Sequence, residues 1–456
     1  MNDILLLAFL FVIIKAQTEV KIIVLPFKTY KKPYSSSESF NISRIVNNHL
    51  YTEIEISNQI LAATFSSDEY GFYMTSENCI EQSNYIIQKS KSFTNLTNFT
   101  ESKEGFASER MLLYRDIDLK KKQYGYYTRM RINSYNNNIQ CAIFGLKMES
   151  DVYEFIQSFI KTFKLNQNIN NYKWTLKYKS NDEGLLVLGD SPIEYDLALK
   201  NKNYTEYKGR AIKYKNYFNF AIKFDEVIIN KKALNVNKEI RFYHELGVLL
   251  VDQKYYDNIT DIFFTKYLSN KICERKWVYE KYGYTVCYAN KFTDNDIKSF
   301  PTIYFKHREM DYIFELNYKD LFSKEADGNI YFLIIFDLNH DGIKFGKPFL
   351  KKYPLTVDND QKTVSLFIKN EDGVSTYKED NSLIYILTIV LILFLIVLGL
   401  LIYFGYKLLK KGKAKKRANE LDEDYEYITD GNIDNDTNKK NNQPFVNTKQ
   451  AVEFEI

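Results

Sequence analysis

The stretch Leu50–Cys79, LYTEIEISNQILAATFSSDEYGFYMTSENC, is the part of the chain that predicts the fold most directly. In its first half Thr52, Ile54 and Ile56 alternate with two glutamates, and this alternation is the period of a half-buried β-strand. A short polar turn separates that strand from a second apolar run, Ile60–Phe65. The two runs together predict a β-hairpin that ends in a polar loop.

The overall composition is that of a folded protein. The chain has 456 residues, which is enough for one large two-lobed domain or two ordinary domains. Hydrophobic residues make up 45% and charged residues 26%, as in ordinary folded domains. The formal net charge is only +4, so the charge balance does not indicate nucleic acid as a partner.

The N-terminus has the pattern of a secretory signal peptide. An apolar run from Ile4 to Ile14 is too short to span a bilayer, and a small residue follows at Ala16. The alternative, a buried N-terminal helix, would normally carry a polar face. We therefore expect a signal peptide over residues 1–16 and an N-terminal segment over 17–44.

A second apolar run, near the C-terminus, is long enough to cross a bilayer. Leu383–Tyr406 contains no charged residue, and a lysine- and arginine-rich segment follows it directly. Because basic residues collect on the cytoplasmic side of a span, we expect a linker over 371–382, a transmembrane helix over 383–406 and a cytoplasmic segment over 407–456. The prediction is a type I single-pass protein of the secretory pathway, at the cell surface or in the endolysosomal system.

The predicted cytoplasmic tail is acidic and rich in asparagine, which is typical of disordered segments. It contains Tyr425-Glu-Tyr-Ile428, a tyrosine-x-x-apolar pattern of the kind that clathrin adaptors bind. In a chain with 38 tyrosines such a pattern also arises by chance. Two alternatives therefore stay open: the tail binds a clathrin adaptor through this pattern, or the pattern has no function.

The part of the chain before the predicted span carries features of a lumenal domain. All four cysteines lie there, as suits an oxidising compartment, and by themselves they allow any of the three possible pairings. Acceptor sequences for N-glycosylation also lie there, at Asn41, Asn95, Asn98, Asn203 and Asn258.

The opening stretch resembles the N-terminal catalytic region of pepsin-like aspartic proteases. Gln59, Phe65, Tyr73, Ser76 and Cys79 keep the spacing that this family shows around its Asp-Thr-Gly-Ser-Ser motif, with Tyr73 in place of a tryptophan. Later segments resemble the family in the same order: Cys141–Leu146, Glu183–Gly189, Tyr217–Asn230, Phe300–Phe305 and Phe345–Tyr353. The resemblance covers about residues 45–370. It implies a mainly β fold with two lobes around a central cleft, and a lobe boundary near 180–200.

The catalytic aspartates of that family are missing here. Ser66 has the position of the first, and counting back from the segment Gln253–Tyr256 places Tyr243 at the second. The family uses two carboxylates that share a proton, and neither a serine nor a phenol with a pKa of about 10 replaces a carboxylate. Asp68 and Glu245 are the alternative acids, although each needs a two-residue shift of register.

The resemblance also implies a disulfide between Cys273 and Cys287 in the second lobe, and it leaves a Cys79–Cys141 pair open. It implies no cofactor. The histidines and cysteines show no spacing that indicates zinc, so we expect no metal site.

These observations predict a membrane-anchored, catalytically inactive protein of this type that binds a peptide or a protein in its cleft. The first alternative is an active endopeptidase that uses Asp68 and Glu245. The second is a glycosylated surface or adhesion protein in which the cleft has no function.

Overall fold

A computed structural model of the chain describes residues 21–30, 42–69, 71–75, 89, 91, 94–95, 104–133, 142–147, 158–190, 204–214, 217–218, 221–278, 282–338, 342–369 and 390–409. The chain divides into two compact units, Met1–Tyr377 and Lys378–Ile456. The predicted signal peptide, the linker over 371–382 and the tail beyond residue 409 lie outside the described residues.

The first unit consists mainly of β-strands. The strands up to residue 218 are β1 Ile23–Tyr30, β2 His49–Ile56, β3 Gln59–Ser66, β4 Phe72–Thr75, β5 Thr94–Asn95, β6 Glu104–Tyr114, β7 Lys122–Asn133, β8 Ala142–Gly145, β9 Lys173–Tyr178, β10 Glu183–Leu188, β11 Tyr204–Arg210, β12 Lys213–Tyr214 and β13 Tyr217–Phe218. The later strands are β14 Ala221–Ile229, β15 Lys232–Phe242, β16 Leu249–Val251, β17 Cys273–Val278, β18 Tyr282–Tyr288, β19 Ile303–Lys306, β20 Ile313–Leu316, β21 Phe322–Lys324, β22 Asn329–Phe332, β23 Ile334–Asp337, β24 Ile343–Phe345, β25 Leu355–Asp358 and β26 Thr363–Lys369. The helices are α1 Ser43–Val46, α2 Phe159–Leu165, α3 Gln253–Phe263, α4 Thr265–Ser269, α5 Asp294–Lys298, α6 Tyr318–Leu321, α7 Lys347–Lys352 and, in the second unit, α8 Val390–Leu409.

The predicted hairpin is confirmed as β2 and β3, which pair antiparallel along their length. Ser57 and Asn58 form the turn with φ angles of 47° and 63°, and such left-handed pairs match the twist of a two-residue hairpin. Buried side chains on β2 alternate with more exposed ones, because one face of the hairpin packs on the core.

Two large sheets form the two lobes. Over the described residues, the first sheet has 13 strands in the order β11-β26-β25-β9-β10-β1-β2-β3-β8-β4-β7-β6-β5. The second sheet has 11 strands in the order β20-β19-β14-β15-β24-β16-β23-β18-β22-β21, with β17 pairing to β18. The mainly β, two-lobed architecture that the sequence predicts is therefore confirmed.

The first sheet takes strands from both ends of the unit. β25 pairs with β9, and β26 pairs with β11, although all strands of the second sheet lie between these partners in sequence. On the far edge of the second sheet, Tyr312 and Phe314 pack against Tyr207 of β11, with Tyr207 and Tyr312 centroids 4.9 Å apart. The first lobe therefore includes residues on both sides of the predicted boundary near 180–200.

Aromatic rings fill both cores. In the first lobe Phe144 lies 4.5 Å from Phe159 and 4.7 Å from Phe72, measured between ring centroids. In the second lobe Phe345 lies 4.5 Å from Phe349. Aromatic pairs at such distances stabilise a core beyond the area that they bury, and close packing of this kind holds the ends of the strands in place.

The second unit contains α8, a 20-residue apolar helix that is long enough to span a membrane. Within the described residues no other helix passes the same test of length and composition. The predicted start of the span at Leu383 lies outside the described residues, and the described part of the helix includes the predicted end at Tyr406 and continues to Leu409.

Candidate functional site at the junction of the two lobes

Ser66 and Tyr243 lie at equivalent ends of two strands, one in each lobe. β3 ends at Ser66 and pairs in parallel with β8, so that Ser66 lies opposite Gly145. β15 ends at Phe242 and pairs in parallel with β24, and the N–H of Tyr243 donates to the carbonyl of Phe345 at 2.9 Å. The two positions at which the resemblance places aspartates therefore match in the fold.

The residues that follow these strand ends contact each other across the two lobes. The hydroxyl oxygen of Ser67 lies 3.0 Å from Nδ1 of His244, and the hydroxyl donates to Oε2 of Glu245 at 2.8 Å. The backbone N–H of Ser67 donates to Oε1 of the same carboxylate at 2.5 Å. Hydrogen bonds to an ionised group are roughly twice as strong as neutral ones. We call Ser67, His244 and Glu245 the junction cluster.

Two members of the junction cluster are buried. Ser67 is 5% exposed and His244 is 2% exposed. Nε2 of His244 is buried and has no hydrogen-bond partner among the described residues. Because the Ser67 hydroxyl already donates to Glu245, its oxygen accepts a hydrogen bond from Nδ1 of His244. The Ser67 hydroxyl therefore bonds to both residues of the loop after β15, as an acceptor from His244 and as a donor to Glu245.

Asn48 holds the loop after β15 from the side of the first lobe. Its amide nitrogen donates to the Tyr178 hydroxyl at 2.9 Å and to the His244 carbonyl at 2.7 Å. Its backbone N–H donates to the carbonyl of Glu245 at 2.6 Å. Burial raises the pKa of Tyr178, although its hydrogen bond with Asn48 acts in the other direction, so this phenol is neutral near pH 7.

Gly247 permits the close approach of the two chain segments. A Cβ atom at Gly247 would lie 2.0 Å from the carbonyl oxygen of Ile45, and the N–H of Gly247 donates to the carbonyl of Val46 at 2.7 Å. Gly346 is in a similarly narrow space, since a Cβ atom added there would lie 2.3 Å from the nearest carbonyl oxygen. Any larger residue at these positions would push the backbones apart.

Charged residues surround Tyr243. Nζ of Lys344 lies 4.7 Å from the centroid of its ring, within the range of a cation–π interaction. Arg241 hydrogen-bonds the phenol and also donates to Glu239 at 2.7 Å. Burial, followed by the negative charge of Asp68, raises the pKa of Tyr243, whereas Arg241 opposes the rise. The phenol therefore keeps its proton near pH 7 and can donate a hydrogen bond.

The alternative acids, Asp68 and Glu245, have different surroundings. Asp68 is exposed, and its backbone N–H donates to the hydroxyl of Ser66 at 3.2 Å. The side chain of Glu245 is 28% exposed, and both of its oxygens accept hydrogen bonds from Ser67. In the part of the chain that the structure describes, no hydrogen bond joins the two carboxylates, whereas a catalytic dyad shares one proton.

Some of the remaining predicted residues are described. Cys273 and Cys287 form the predicted disulfide and lie opposite each other on β17 and β18. Asn258 lies on α3, where its side chain donates to the carbonyl of Lys254 at 2.9 Å, and Asn95 lies on β5. The others lie outside the described residues: Asn41, Asn98, Asn203, Cys79, Cys141, Tyr425 and Ile428. The described residues hold no group of three or more potential metal ligands.

Four residues of the site are not predicted from the sequence: Ser67, His244, Asn48 and Tyr178. Ser67 directly follows Ser66, and His244 directly follows Tyr243. A comparison of the loop after β3 with the loop after β15 could therefore have identified both residues as part of the site. For Asn48 and Tyr178 no signal existed, because they lie 130 positions apart and no periodic pattern connects them.

A cavity of about 320 Å³ lies in the first lobe. Its lining includes Lys28, Glu53, Lys122 and Glu183 and none of the junction cluster. Because its charged side chains have both signs and are exposed, the cavity defines no particular ligand.

The fold is similar to that of a solved protein, the basic 7S globulin from soybean, which has the pepsin-like fold. The TM-score is 0.54 at 11% sequence identity, and the alignment covers 78% of this chain and 98% of the globulin chain. No family model and no curated protein sequence matches the chain. A likeness at this identity shows the fold alone. The chain therefore has a two-lobed, mainly β, pepsin-like fold and an apolar helix that could span a membrane.

Proposed function

We propose that this chain is a membrane-anchored protein with a catalytically inactive aspartic-protease fold, and that it binds a peptide or protein segment in the cleft between its lobes. The observation that carries the proposal is the pair Ser66 and Tyr243 at matching strand ends. A catalytic dyad would need two carboxylates at these positions.

The chemistry of the two side chains supports the loss of hydrolysis. One carboxylate of a working dyad activates water while the other protonates the carbonyl of the substrate. Ser66 has no carboxyl group, and the raised pKa of Tyr243, caused by burial and Asp68, keeps its phenol protonated. Hydroxyl groups still donate and accept hydrogen bonds. The two residues therefore retain groups that bind a peptide backbone without a base that activates water.

The same proposal includes the processing and topology of the chain. Residues 1–16 act as a signal peptide, α8 crosses the membrane, and the tail after it faces the cytoplasm, where Tyr425 and Ile428 bind a clathrin adaptor. The lumenal part carries the glycans at the five acceptor asparagines and a Cys79–Cys141 disulfide. The support is the apolar helix, the disulfide between Cys273 and Cys287 and the arrangement of these segments in the sequence.

A cleavage assay tests the loss of catalysis. The full-length protein in detergent is incubated with unfolded casein between about pH 3 and 7, the range in which carboxylate dyads work, with and without pepstatin. Pepsin serves as the positive control. We expect no cleavage. Cleavage that pepstatin inhibits, and that Asp68→Asn or Glu245→Gln abolishes, would establish an active enzyme and overturn the proposal.

A binding assay tests the cleft. Ser66→Trp places a large ring at the end of β3 that lies in the site, whereas Ile60→Trp places the same ring near the other end, where Ile60 is 58% exposed. Fluorescent peptides that cover the casein sequence serve as probes in anisotropy measurements. We expect Ser66→Trp to weaken peptide binding at least about tenfold, or 1.4 kcal/mol, and Ile60→Trp to leave it unchanged. Equal binding by both variants, or none by the wild type, would contradict the proposal and favour the adhesion alternative.

A further inference from the structure

The end of the second sheet at which the chain passes from β17 to β18 exposes two large apolar side chains. Over the described residues of the first unit, the large apolar side chains that are exposed are Ile60, Tyr124, Leu165, Trp277 and Leu338. β17 ends at Val278, and β18 begins at Tyr282, which lies opposite Asp337 at the end of β23. Trp277 therefore lies at the same end of this sheet as Leu338, which directly follows β23. We call Trp277 and Leu338 the apolar tip.

The packing around Trp277 holds its ring in an exposed position. The residue is 51% exposed, and one side of its ring packs edge-on against the buried Phe336, with the ring centroids 4.7 Å apart. Phe336 occupies the space that a Cβ atom would take at Gly283, directly opposite Trp277 on β18. The disulfide Cys273–Cys287 joins the two strands at the other end of the hairpin. The indole is therefore fixed by the core on one side and exposed on the other.

The charged residues that precede the tryptophan on β17 are paired with nearby charges of opposite sign. Arg275, two positions earlier and therefore on the same face of the strand, donates to Asp257 at 3.0 Å and lies 3.7 Å from Asp261. Lys276 lies 3.8 Å from Glu274. These pairs leave no excess of positive charge beside the apolar tip. Its partner is therefore not selected by a negative charge.

The size and the chemistry of the apolar tip suit a lipid interface better than a protein partner. Trp277 is 51% and Leu338 is 48% exposed, which amounts to roughly 200 Å² when a whole tryptophan is taken as about 250 Å². A stable protein interface buries about 800 Å² on each partner. Tryptophan is enriched where a bilayer meets water, because its ring is apolar while its N–H still reaches a polar group.

The helix α8 brings a bilayer within reach of the apolar tip, so the inference below rests on the proposed membrane anchor. β26 ends at Lys369, and the described part of α8 begins at Val390. The residues between them span at most about 70 Å, whereas a domain with the length of the first unit has a radius of gyration of about 21 Å. The connection is therefore long enough for any side of the first unit to contact the membrane, and it raises the effective concentration of that contact.

We propose that the apolar tip is a membrane-contact surface, which inserts the indole ring of Trp277 into the headgroup region of the bilayer that α8 crosses. The two apolar side chains leave water there, while the charged pairs of β17 stay at the polar side of the interface. Because these pairs are balanced, the contact forms with a zwitterionic lipid such as phosphatidylcholine, needs no anionic lipid and changes little with salt.

Quenching of tryptophan fluorescence by brominated lipid tests the proposal on the full-length chain. The chain is reconstituted into phosphatidylcholine nanodiscs, with and without bromine on the acyl carbons nearest to the headgroups. The chain has two tryptophans, and Trp174 is 3% exposed within the core, so it serves as the internal reference. We expect bromine to lower the emission of the wild type, equally at low and high salt, and to leave the emission of Trp277→Phe unchanged.

Trp277→Phe combined with Ile60→Trp is the matched control, because it moves the exposed indole to the first lobe, where Ile60 is 58% exposed. Bromine should not change the emission of this variant. An equal response of this variant and the wild type, or no response of wild-type chains that co-elute with the discs, would overturn the inference alone. Chains that do not co-elute with the discs would overturn the membrane anchor as well. An emission of Trp277 that shifts to shorter wavelength only when two copies share a disc, without quenching, would assign the apolar tip to a second copy and overturn the inference.

Discussion

Glu245 joins the lobes through one carboxylate. Both of its oxygens accept hydrogen bonds from Ser67, at 2.5 and 2.8 Å, and its own carbonyl accepts one from Asn48. A carboxylate with these bonds stabilises the contact between two strand ends. It is poorly placed to share a proton with Asp68, which is exposed.

Glu245→Gln should lower the free energy of unfolding by about 1–3 kcal/mol, because a charged acceptor of two hydrogen bonds is replaced by a neutral amide. Asp68→Asn is the matched control, and as an exposed substitution it should change stability by less than about 0.5 kcal/mol. Urea denaturation followed by circular dichroism measures both. Equal stabilities of the two variants would show that the junction cluster contributes little.

Gly247→Ala should destabilise the protein by about 3 kcal/mol or prevent folding, because its Cβ would lie 2.0 Å from a backbone oxygen. Gly71→Ala should be tolerated, since the nearest atom to its Cβ would lie 3.6 Å away. Expression yield and thermal unfolding distinguish the two. A stable Gly247→Ala variant would mean that the two segments separate easily.

At the scale of residues, the positions Ser66 and Tyr243 were predicted from the resemblance to a protein family, which depends on spacing along the chain. The contact between Ser67 and His244 does not follow, since it joins residues 177 positions apart. Contacts of that kind depend on how two lobes pack, and local patterns carry no information about it.

At the scale of elements, the β2–β3 hairpin is the most predictable part of the protein. Its alternation of side chains places one face on the core, and its two-residue turn has the required left-handed conformation. Both features are local, so the turn and the neighbouring residues of β2 and β3 are enough to set the register of the hairpin.

Asn58→Val should lower the free energy of unfolding by about 1 kcal/mol, because a β-branched residue is strained at a φ of 63°. Asn58→Gly should leave stability equal or higher, since glycine adopts this conformation without strain. Urea denaturation of both variants checks the prediction. Equal losses in the two would point to the asparagine side chain instead of the backbone.

Removal of the disulfide with Cys273→Ser and Cys287→Ser should lower the free energy of unfolding by about 3 kcal/mol, because it closes a loop with a sequence separation of 14. In a chain that carries Cys79→Ser and Cys141→Ser, reduction of the remaining disulfide should cause the same loss, which is the internal control. A reduced wild type as stable as the oxidised one would contradict the prediction.

At the scale of the whole molecule, the first lobe depends on strands from the end of the first compact unit. β25 lies between β9 and β26, and β11 forms the edge of the same sheet. The first lobe is therefore incomplete until the second has been synthesised, although most of its residues come first.

A chain that ends at Lys369 should fold, whereas one that ends at Tyr353 should aggregate, because β9 would then expose an unpaired edge. Circular dichroism and size-exclusion chromatography of the two truncated chains measure the difference. A monomeric, folded chain ending at Tyr353 would show that the first lobe does not need these strands.

The sequence by itself determined the strands, the hairpin, the apolar helix and the absence of aspartate at two positions, because periodicity, turn conformation and side-chain identity are local properties. Only the tertiary structure decided that Ser67, His244, Glu245, Asn48 and Tyr178 meet at one junction. The reason is physical: these polar groups find their partners across two separately formed sheets, and a buried polar group without a partner is costly, so the packing of the lobes determines which contacts form.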